Sequence, residues 1–299
     1  MKNLSLLIFS LIAFNSINAQ LPQVASGELI RHANFESTFV DNRNIDVWLP
    51  NNYSDEKQYA VVYMHDGQML FDANTTWNKQ EWGVDEVFGK LISENRIKDC
   101  IVIGIWNNDQ YRFAEYFPQR AWDNISPQKQ KEIINGDAYT KQSFSSKELL
   151  ADNYLRFIVQ ELKPFIDKTY STLPCKANTF IMGSSMGGLI SYYAISEYPG
   201  VFGGAACLST HWPAASGITL SYVDKNYPNP ETHKIYFDYG TATLDSLYEP
   251  YQLKVDAMMI RNEFIKGKHF ETHKFEGEAH TEIAWNKRLH IPIEFLLKK

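Results

Sequence analysis

Cysteine is scarce in this chain: Cys100, Cys175 and Cys207 are the only three in 299 residues. An odd count excludes a fully paired disulfide framework, and none of the spacings is that of a metal site. Cys100 and Cys207 border or lie within apolar runs, where a buried, unreactive thiol is expected. An excess of one charge is also missing. A formal net charge of −6 gives no electrostatic basis for holding nucleic acid or an anionic membrane, and it is too mild to demand a basic partner. The chain has no internal repeat and no low-complexity linker. Beyond the first twenty residues no apolar run approaches the roughly 20 residues that a membrane helix requires. What remains is an ordinary globular composition, 44% hydrophobic and 21% charged, in a chain long enough to bury a core without disulfide or metal.

The N-terminus reads differently from the rest. Lys2 supplies a positive start, Leu4 to Phe14 form an apolar stretch broken by two serines, and Ala19 places a small residue after a polar segment. This is the pattern of a secretory signal cleaved after Ala19, so residues 1–19 are expected to direct export, to the periplasm or beyond. Residues 20–299 are then expected to form one domain.

From about residue 58, short apolar runs alternate with amphipathic segments. Strand-like runs are Tyr59 to Met64, Ile101 to Trp106, Thr179 to Met182, Gly203 to Leu208, Lys234 to Asp238 and His273 to Phe275. Helical spacing of apolar residues marks Trp82 to Ile97, Tyr154 to Tyr170, Met186 to Tyr198, Leu253 to Phe264 and Thr281 to Leu297. Continuous apolar strands alternating with helices predict a mostly parallel sheet covered on both faces. Glu28 to Leu49 instead alternates polar and apolar residues around Asp41-Asn42-Arg43-Asn44, which predicts an antiparallel hairpin leading the sheet. Residues 107–147, rich in aromatics and charge, show no strong periodicity and are expected to form a lid-like or binding insertion.

Gly183-Ser184-Ser185-Met186-Gly187 is a G-x-S-x-G sequence between a strand and a helix. That context is the one a nucleophile elbow needs. The sharp turn crowds the backbone on either side of Ser185, where glycine has no Cβ to clash, and the helix start offers the Met186 amide to a developing oxyanion. A base is expected after the last strand. Of eight histidines, His280 occupies that place. The orienting acid is expected after Lys234 to Asp238, where Asp245 is favoured, with Glu249 and Asp238 as alternatives. The second oxyanion amide is assigned to Gln68, in the loop His65-Asp66-Gly67-Gln68 after an early strand.

These segments, Val61 to Phe71, Gly183 to Gly188 and Glu278 to His280, resemble the Putative esterase, or esterase D-like, family of α/β-hydrolases, from about residue 30 to the C-terminus. That family includes feruloyl, acetylxylan and enterochelin esterases and S-formylglutathione hydrolase. The resemblance implies the α/β-hydrolase fold, Ser185 as nucleophile, His280 as base and the amides of Gln68 and Met186 as oxyanion hole. Tyr239-Gly240-Thr241 followed by Asp245 resembles the acid-bearing loop, which varies between members. The expected reaction is two-step hydrolysis of a carboxylic ester, with no cofactor or metal, on a carbohydrate-linked acyl ester. A siderophore ester, acyl transfer to a sugar alcohol and a non-catalytic binding domain are the alternatives. Trp106, Asn107, Arg112, His211 and Trp212 are expected to contact substrate, with Tyr111 and Trp122 nearby.

Overall fold

The computed structural model of the protein describes residues 20–136 and 148–299. The expected leader, residues 1–19, and the last part of the expected insertion, residues 137–147, lie outside the described residues. The strands are β1 (Glu28–Phe35), β2 (Arg43–Leu49), β3 (Ala60–His65), β4 (Cys100–Ile105), β5 (Thr179–Ser184), β6 (Gly204–Leu208), β7 (Lys234–Gly240) and β8 (Phe270–Phe275). They form one sheet in the order β1-β2-β4-β3-β5-β6-β7-β8. β1 and β2 pair antiparallel and β2 meets β4 antiparallel. All other pairings are parallel. This is the α/β-hydrolase arrangement expected, with its leading hairpin.

Both faces of the sheet are buried, and the period of two along each strand divides the core. Val61, Tyr63, Ile101, Ile103 and Ile181 point to one side, and Ala60, Val62, Met64, Val102 and Met182 to the other. The first side is covered by α2 (Arg112–Tyr116), α3 (Gln119–Asp123), α4 (Pro127–Gly136), α5 (Ala151–Arg156), α6 (Lys163–Thr169), α7 (Met186–Glu197) and α8 (Glu249–Arg261); the second by α1 (Val84–Ser93), α9 (Glu282–Arg288) and α10 (His290–Leu297). α7 is buried almost all round, Met186 through Ile195, because it lies against the central strands beneath other helices. Among the described residues no helix is long and apolar enough to cross a membrane.

Three local readings change. The hairpin turn was expected at Asp41–Asn44, but β2 already begins at Arg43. The reversal is made earlier, where Ser37 accepts from the amides of Phe39 and Val40 at 3.0 and 3.2 Å and donates to Glu161 at 2.6 Å. The stretch from 107 is not irregular up to residue 136, since α2, α3 and α4 occupy it. α2 and α3 carry too few turns for a periodicity to stand out, and α4 is mostly polar, burying only Ile133. The closing helix is split between Arg288 and His290 because Pro292 cannot donate to the carbonyl of Arg288.

The topology also locates a crevice. From β3 the chain adds β4 on one side and then crosses to β5 on the other, so connections leave the carboxyl ends of β3 and β5 in opposite directions. In open α/β sheets ligands bind at such a switch point. There Gly67, just past β3, presses on β4: a Cβ on it would lie 2.6 Å from the carbonyl carbon of Gly104 and 2.8 Å from the amide nitrogen of Ile105. Backbone cannot retreat as a flexible side chain can. Gly67→Ala is therefore expected to destabilise the fold by about 1–3 kcal/mol in urea unfolding. Gly200→Ala, where nothing lies within 4 Å, should leave the unfolding midpoint essentially in place.

Candidate active site

The elbow is set by local sterics. β5 ends at Ser184, Ser185 adopts φ 58 and ψ −119, and α7 starts at Met186. A Cβ on Gly183 would stand 3.0–3.1 Å from the backbone of Gly187, and one on Gly188 would meet Thr210 Oγ1 at 2.7 Å. The turn closes only because both residues are glycine. The Ser185 carbonyl accepts from the amides of Gly188, Leu189 and His211 at 3.1–3.2 Å. The first amides of a helix have no intrahelical acceptor, so Met186 presents its N–H at the mouth of α7.

Two loops bring a histidine and a carboxylate to the same edge. The loop after β7 and the loop after β8 are stitched together: Thr241 and Ala242 amides donate to the Glu278 carbonyl at 3.1 and 3.0 Å, and the His280 amide donates to Thr243 Oγ1 at 2.9 Å. Gly240 permits this approach, since a Cβ there would lie 2.1 Å from the Glu278 carbonyl oxygen. His280 Nδ1 and Asp245 Oδ1 are 2.5 Å apart. The other Asp245 oxygen accepts from Ser209 Oγ at 2.5 Å and the Gly240 amide at 2.7 Å. Burial pushes the Asp245 carboxyl up, but the hydrogen bonds from His280, Ser209 and Gly240 outweigh it and hold it below the usual carboxylate range. The two alternative acids lie elsewhere. Asp238 is fully buried in an ion pair with Arg288 at 2.9 Å, and Glu249 pairs with Lys274 at 3.1 Å near the surface.

Past β3, Asp66 takes a left-handed conformation (φ 58) and opens a single turn, Gly67–Met69. Asp66 is 8% exposed. Its carboxylate accepts from Arg112 Nε and a terminal Arg112 nitrogen, and from Asn107 Nδ2, all at 2.7 Å. Its amide donates to Tyr116 Oη at 3.3 Å, and Gln68 Oε1 accepts from the Asn107 amide at 3.1 Å. Burial raises the Asp66 carboxyl, while Arg112 and Asn107 overcome that and bring it below its ordinary value.

Ser185, His280 and Gln68 share a cavity of about 540 Å³, whose wall also holds Asn107 and Arg112. Not all expected contacts are there. Trp106 is a correction. It prolongs β4 alongside β2, its indole donates to Asp46 at 2.8 Å and the Arg31 guanidinium stacks on it. Trp212 is a second. It is 1% exposed, donating to Gln252 at 2.7 Å between Tyr192 and Phe237. His211 is a third. Its ring pairs with Tyr248 Oη at 2.7 Å beside the elbow and outside the cavity. Burial, with His280 and Arg112 nearby, lowers His211 to about 4, so it is neutral at pH 7. Tyr111 borders a separate groove and Trp122 packs on the core. His65, at the end of β3, is buried against Tyr154 Oη at 2.8 Å, and burial lowers it to about 3. Among the lining residues not foreseen are Asp66, Trp77, Asn78, Asp109, Glu282 and Trp285. The Trp77–Trp82 stretch leaves the carboxyl end of β3, a position that marks it for the site.

A family model described as Putative esterase matches residues 37–291. The uncharacterized protein YbbA of Bacillus subtilis (strain 168) is 26% identical over 204 residues, which are 67% of this chain and 68% of that protein. Among solved structures, an IroE-like serine hydrolase from Shewanella oneidensis aligns with a TM-score of 0.66 at 19% identity, over 90% of this chain and 80% of that one. A ferulic acid esterase from Anaeromyces mucronatus aligns with a TM-score of 0.59 at 17% identity, over 90% and 89%. Identities this low speak for the fold; the family match speaks for the family.

The Asp66–Arg112 pair has a pH consequence. A carboxylate whose folded pKa is depressed contributes stability above its unfolded pKa of roughly 3.9, and that contribution disappears as pH falls through the folded value. Arg112→Met removes the stabilising charge and leaves burial, which raises the pKa. Acid unfolding, followed by circular dichroism, is expected to begin at higher pH in Arg112→Met than in the wild type, and Asp66→Asn/Arg112→Met should recover part of the difference.

Proposed function

The chain belongs to the Putative esterase family and is an esterase, and from that premise we propose that it works through a Ser185–His280–Asp245 triad and a covalent acyl-enzyme. The observation that carries this reading is the 2.5 Å His280–Asp245 hydrogen bond at the wall of the cavity that also holds the strained Ser185. Asp245 fixes the imidazole with Nδ1 toward the carboxylate and directs Nε2 to the serine side. His280 takes the Ser185 proton as Oγ attacks the ester carbonyl. The amides of Met186 and Gln68 receive the oxyanion, each at the first turn of a helical segment. His280 then protonates the leaving alcohol, and water, deprotonated by the same base, releases the acid.

The substrate we favour is an acyl ester carried on a carbohydrate. Trp77, 84% exposed, stands at the cavity rim with Asn78, Gln80, Asp109 and Glu282 around it. A flat apolar ring surrounded by amides and carboxylates offers a sugar both of its surfaces, the C–H face and the hydroxyl edge. The Anaeromyces neighbour, a ferulic acid esterase, supports the same direction. Asn107, Asp109 and Arg112 place the start of the 107–147 insertion in the cavity wall, consistent with a binding role for it. From the expected leader we infer an exported enzyme, with residues 20–299 as its esterase domain.

Two measurements test the reading. On p-nitrophenyl acetate, Ser185→Ala and His280→Ala should each lower kcat by roughly four to six orders of magnitude, and the double variant little further, because the triad acts as a unit. Retained activity in Ser185→Ala would end the serine mechanism. Trp77→Ala should leave p-nitrophenyl acetate hydrolysis within twofold and raise KM for feruloylated or acetylated oligosaccharides about tenfold. An unchanged KM, or turnover confined to a siderophore ester, would displace the carbohydrate assignment.

A further inference from the structure

Behind Asp245 lies a side chain that the mechanism so far leaves out. Ser209 follows β6, has φ 39 and is fully buried. Its amide donates to the Asp238 carbonyl at 2.9 Å and to Asp238 Oδ1 at 3.1 Å. Its Oγ has three partners: Asp245 Oδ2 at 2.5 Å, Trp285 Nε1 at 3.0 Å and an Arg288 terminal nitrogen at 2.9 Å. An indole N–H and a guanidinium N–H can only donate, and a hydroxyl has one hydrogen and two lone pairs. Both lone pairs are therefore taken, and the single hydrogen is committed to Asp245. The two donors are themselves fixed. Arg288 is held by Asp238 through Nε at 3.1 Å and a terminal nitrogen at 2.9 Å. Trp285 stands edge-on to the His280 ring, with centroids 5.0 Å apart.

We propose that Ser209 is a positioning residue of the triad, whose hydroxyl, oriented by Trp285 and Arg288 of α9, fixes and polarises the Asp245 carboxylate that holds His280. The proposal rests on the triad reading above and adds to it a directed donor. By drawing charge from Asp245, Ser209 sets how strongly that carboxylate retains the imidazolium. Removing the donor leaves the carboxylate a better partner for imidazolium and a less well oriented one. The other ionisable groups around the pair are His211 and Tyr248, joined to each other, Arg112 on α2, and the Asp238–Arg288 pair of β7 and α9. None of these is replaced in the test below, and burial, with His280 and Arg112 nearby, holds His211 down at about 4.

The experiment compares wild type, Ser209→Ala, Asp245→Asn and the double variant on p-nitrophenyl acetate, with active sites counted by a fluorophosphonate. Ser209→Ala is expected to lower kcat ten- to a hundredfold per titrated site, to leave KM within twofold, and to move the acidic limb of the kcat/KM profile to higher pH. A loss of folded protein alone would move none of these. In the Asp245→Asn background Ser209→Ala should have almost no further effect, since its route to the serine has been removed. Because Ala leaves the Trp285 and Arg288 donors without an acceptor, Ser209→Cys, a near-isosteric weak donor and acceptor, serves as the second variant. It should fall between wild type and Ala with the same direction of pH shift. An unmoved acidic limb in both variants, beside a strongly impaired Asp245→Asn, would overturn the role of Ser209 alone, as would fully additive losses. Wild-type turnover in Asp245→Asn would overturn the triad reading beneath it.

Discussion

Ser185 sits at φ 58 and ψ −119, a conformation that costs an L-residue on the order of 1–3 kcal/mol. The chain around it removes every easier alternative. Its amide is bound to the Leu208 carbonyl at 3.0 Å and its own carbonyl is shared by three donors. A Cβ on Gly183 would crowd the backbone of Gly187 at 3.0–3.1 Å. The helix it opens is buried from Met186 to Ile195, so straightening the turn would pull that helix out of the core. The apolar burial of α7 is what offsets the strain at Ser185. The same packing fixes the direction of α7, hence where the Met186 amide points, and it places Thr210 and His211 next to the elbow. The geometry of the elbow is a consequence of core packing rather than of loop conformation.

Electrostatics follows a second regularity. Three buried carboxylates stand at the carboxyl edge of the sheet, Asp66, Asp238 and Asp245, and each is met by a cation, an imidazole or oriented donors. Placing a carboxylate in such surroundings without partners would cost several kcal/mol. For Asp238 burial prevails and its carboxyl remains above the ordinary value despite Arg288; for Asp66 and Asp245 the donors prevail. The difference fits their places. Asp66 borders the cavity and Asp245 lies behind His280; both must stay ionised, one to hold Arg112 and the other to face His280. Asp238 lies deeper, where its task is to anchor Arg288.

Much of this was legible in the residues. The parallel strands announced themselves as unbroken apolar runs, because each is covered on both faces. Gly183-x-Ser185-x-Gly187 could be read because the contact that requires the glycines spans only four residues. His280 and Asp245 come from different loops, and the order of elements along the chain, with the family resemblance, pointed to them. What could not be read was side-chain direction. Trp106 and Trp212 looked like platforms because they follow strands, yet Trp106 falls on the side of β4 opposite Ile105, where Asp46 receives it. Trp212 turns inward to the one buried amide, Gln252, that satisfies its N–H. Trp77 escaped notice for the converse reason: nothing in a polar loop distinguishes an indole that points to solvent from one that folds back. Ser209 carried no signal at all, since a serine after a strand is unremarkable until its three partners converge.

The five residues of α2 show why binding and chemistry are joined in this molecule. Arg112 grips the Asp66 carboxylate, Tyr116 accepts from the Asp66 amide, and Glu115, itself 1% exposed, pairs with Arg43 of β2 at 2.7 Å. Two of these anchors reach the turn that carries Gln68, and the third reaches the sheet. Asn107, ahead of the helix, reaches the same turn through both its backbone and its side chain. Residues 107–116, which wall the cavity at the start of the insertion, therefore cannot shift as a free loop. Any movement of α2 acts on Asp66, and through it on the amide proposed to receive the oxyanion. Variation in substrate would then come most readily from the part of the wall outside this clamp, the exposed tip of the loop bearing Trp77 and Asn78. Such a division, an inner wall tied to the sheet and an outer rim tied to α9 through Asn78–Glu282 and Trp82–Asn286, lets one scaffold keep its acyl chemistry while its specificity drifts.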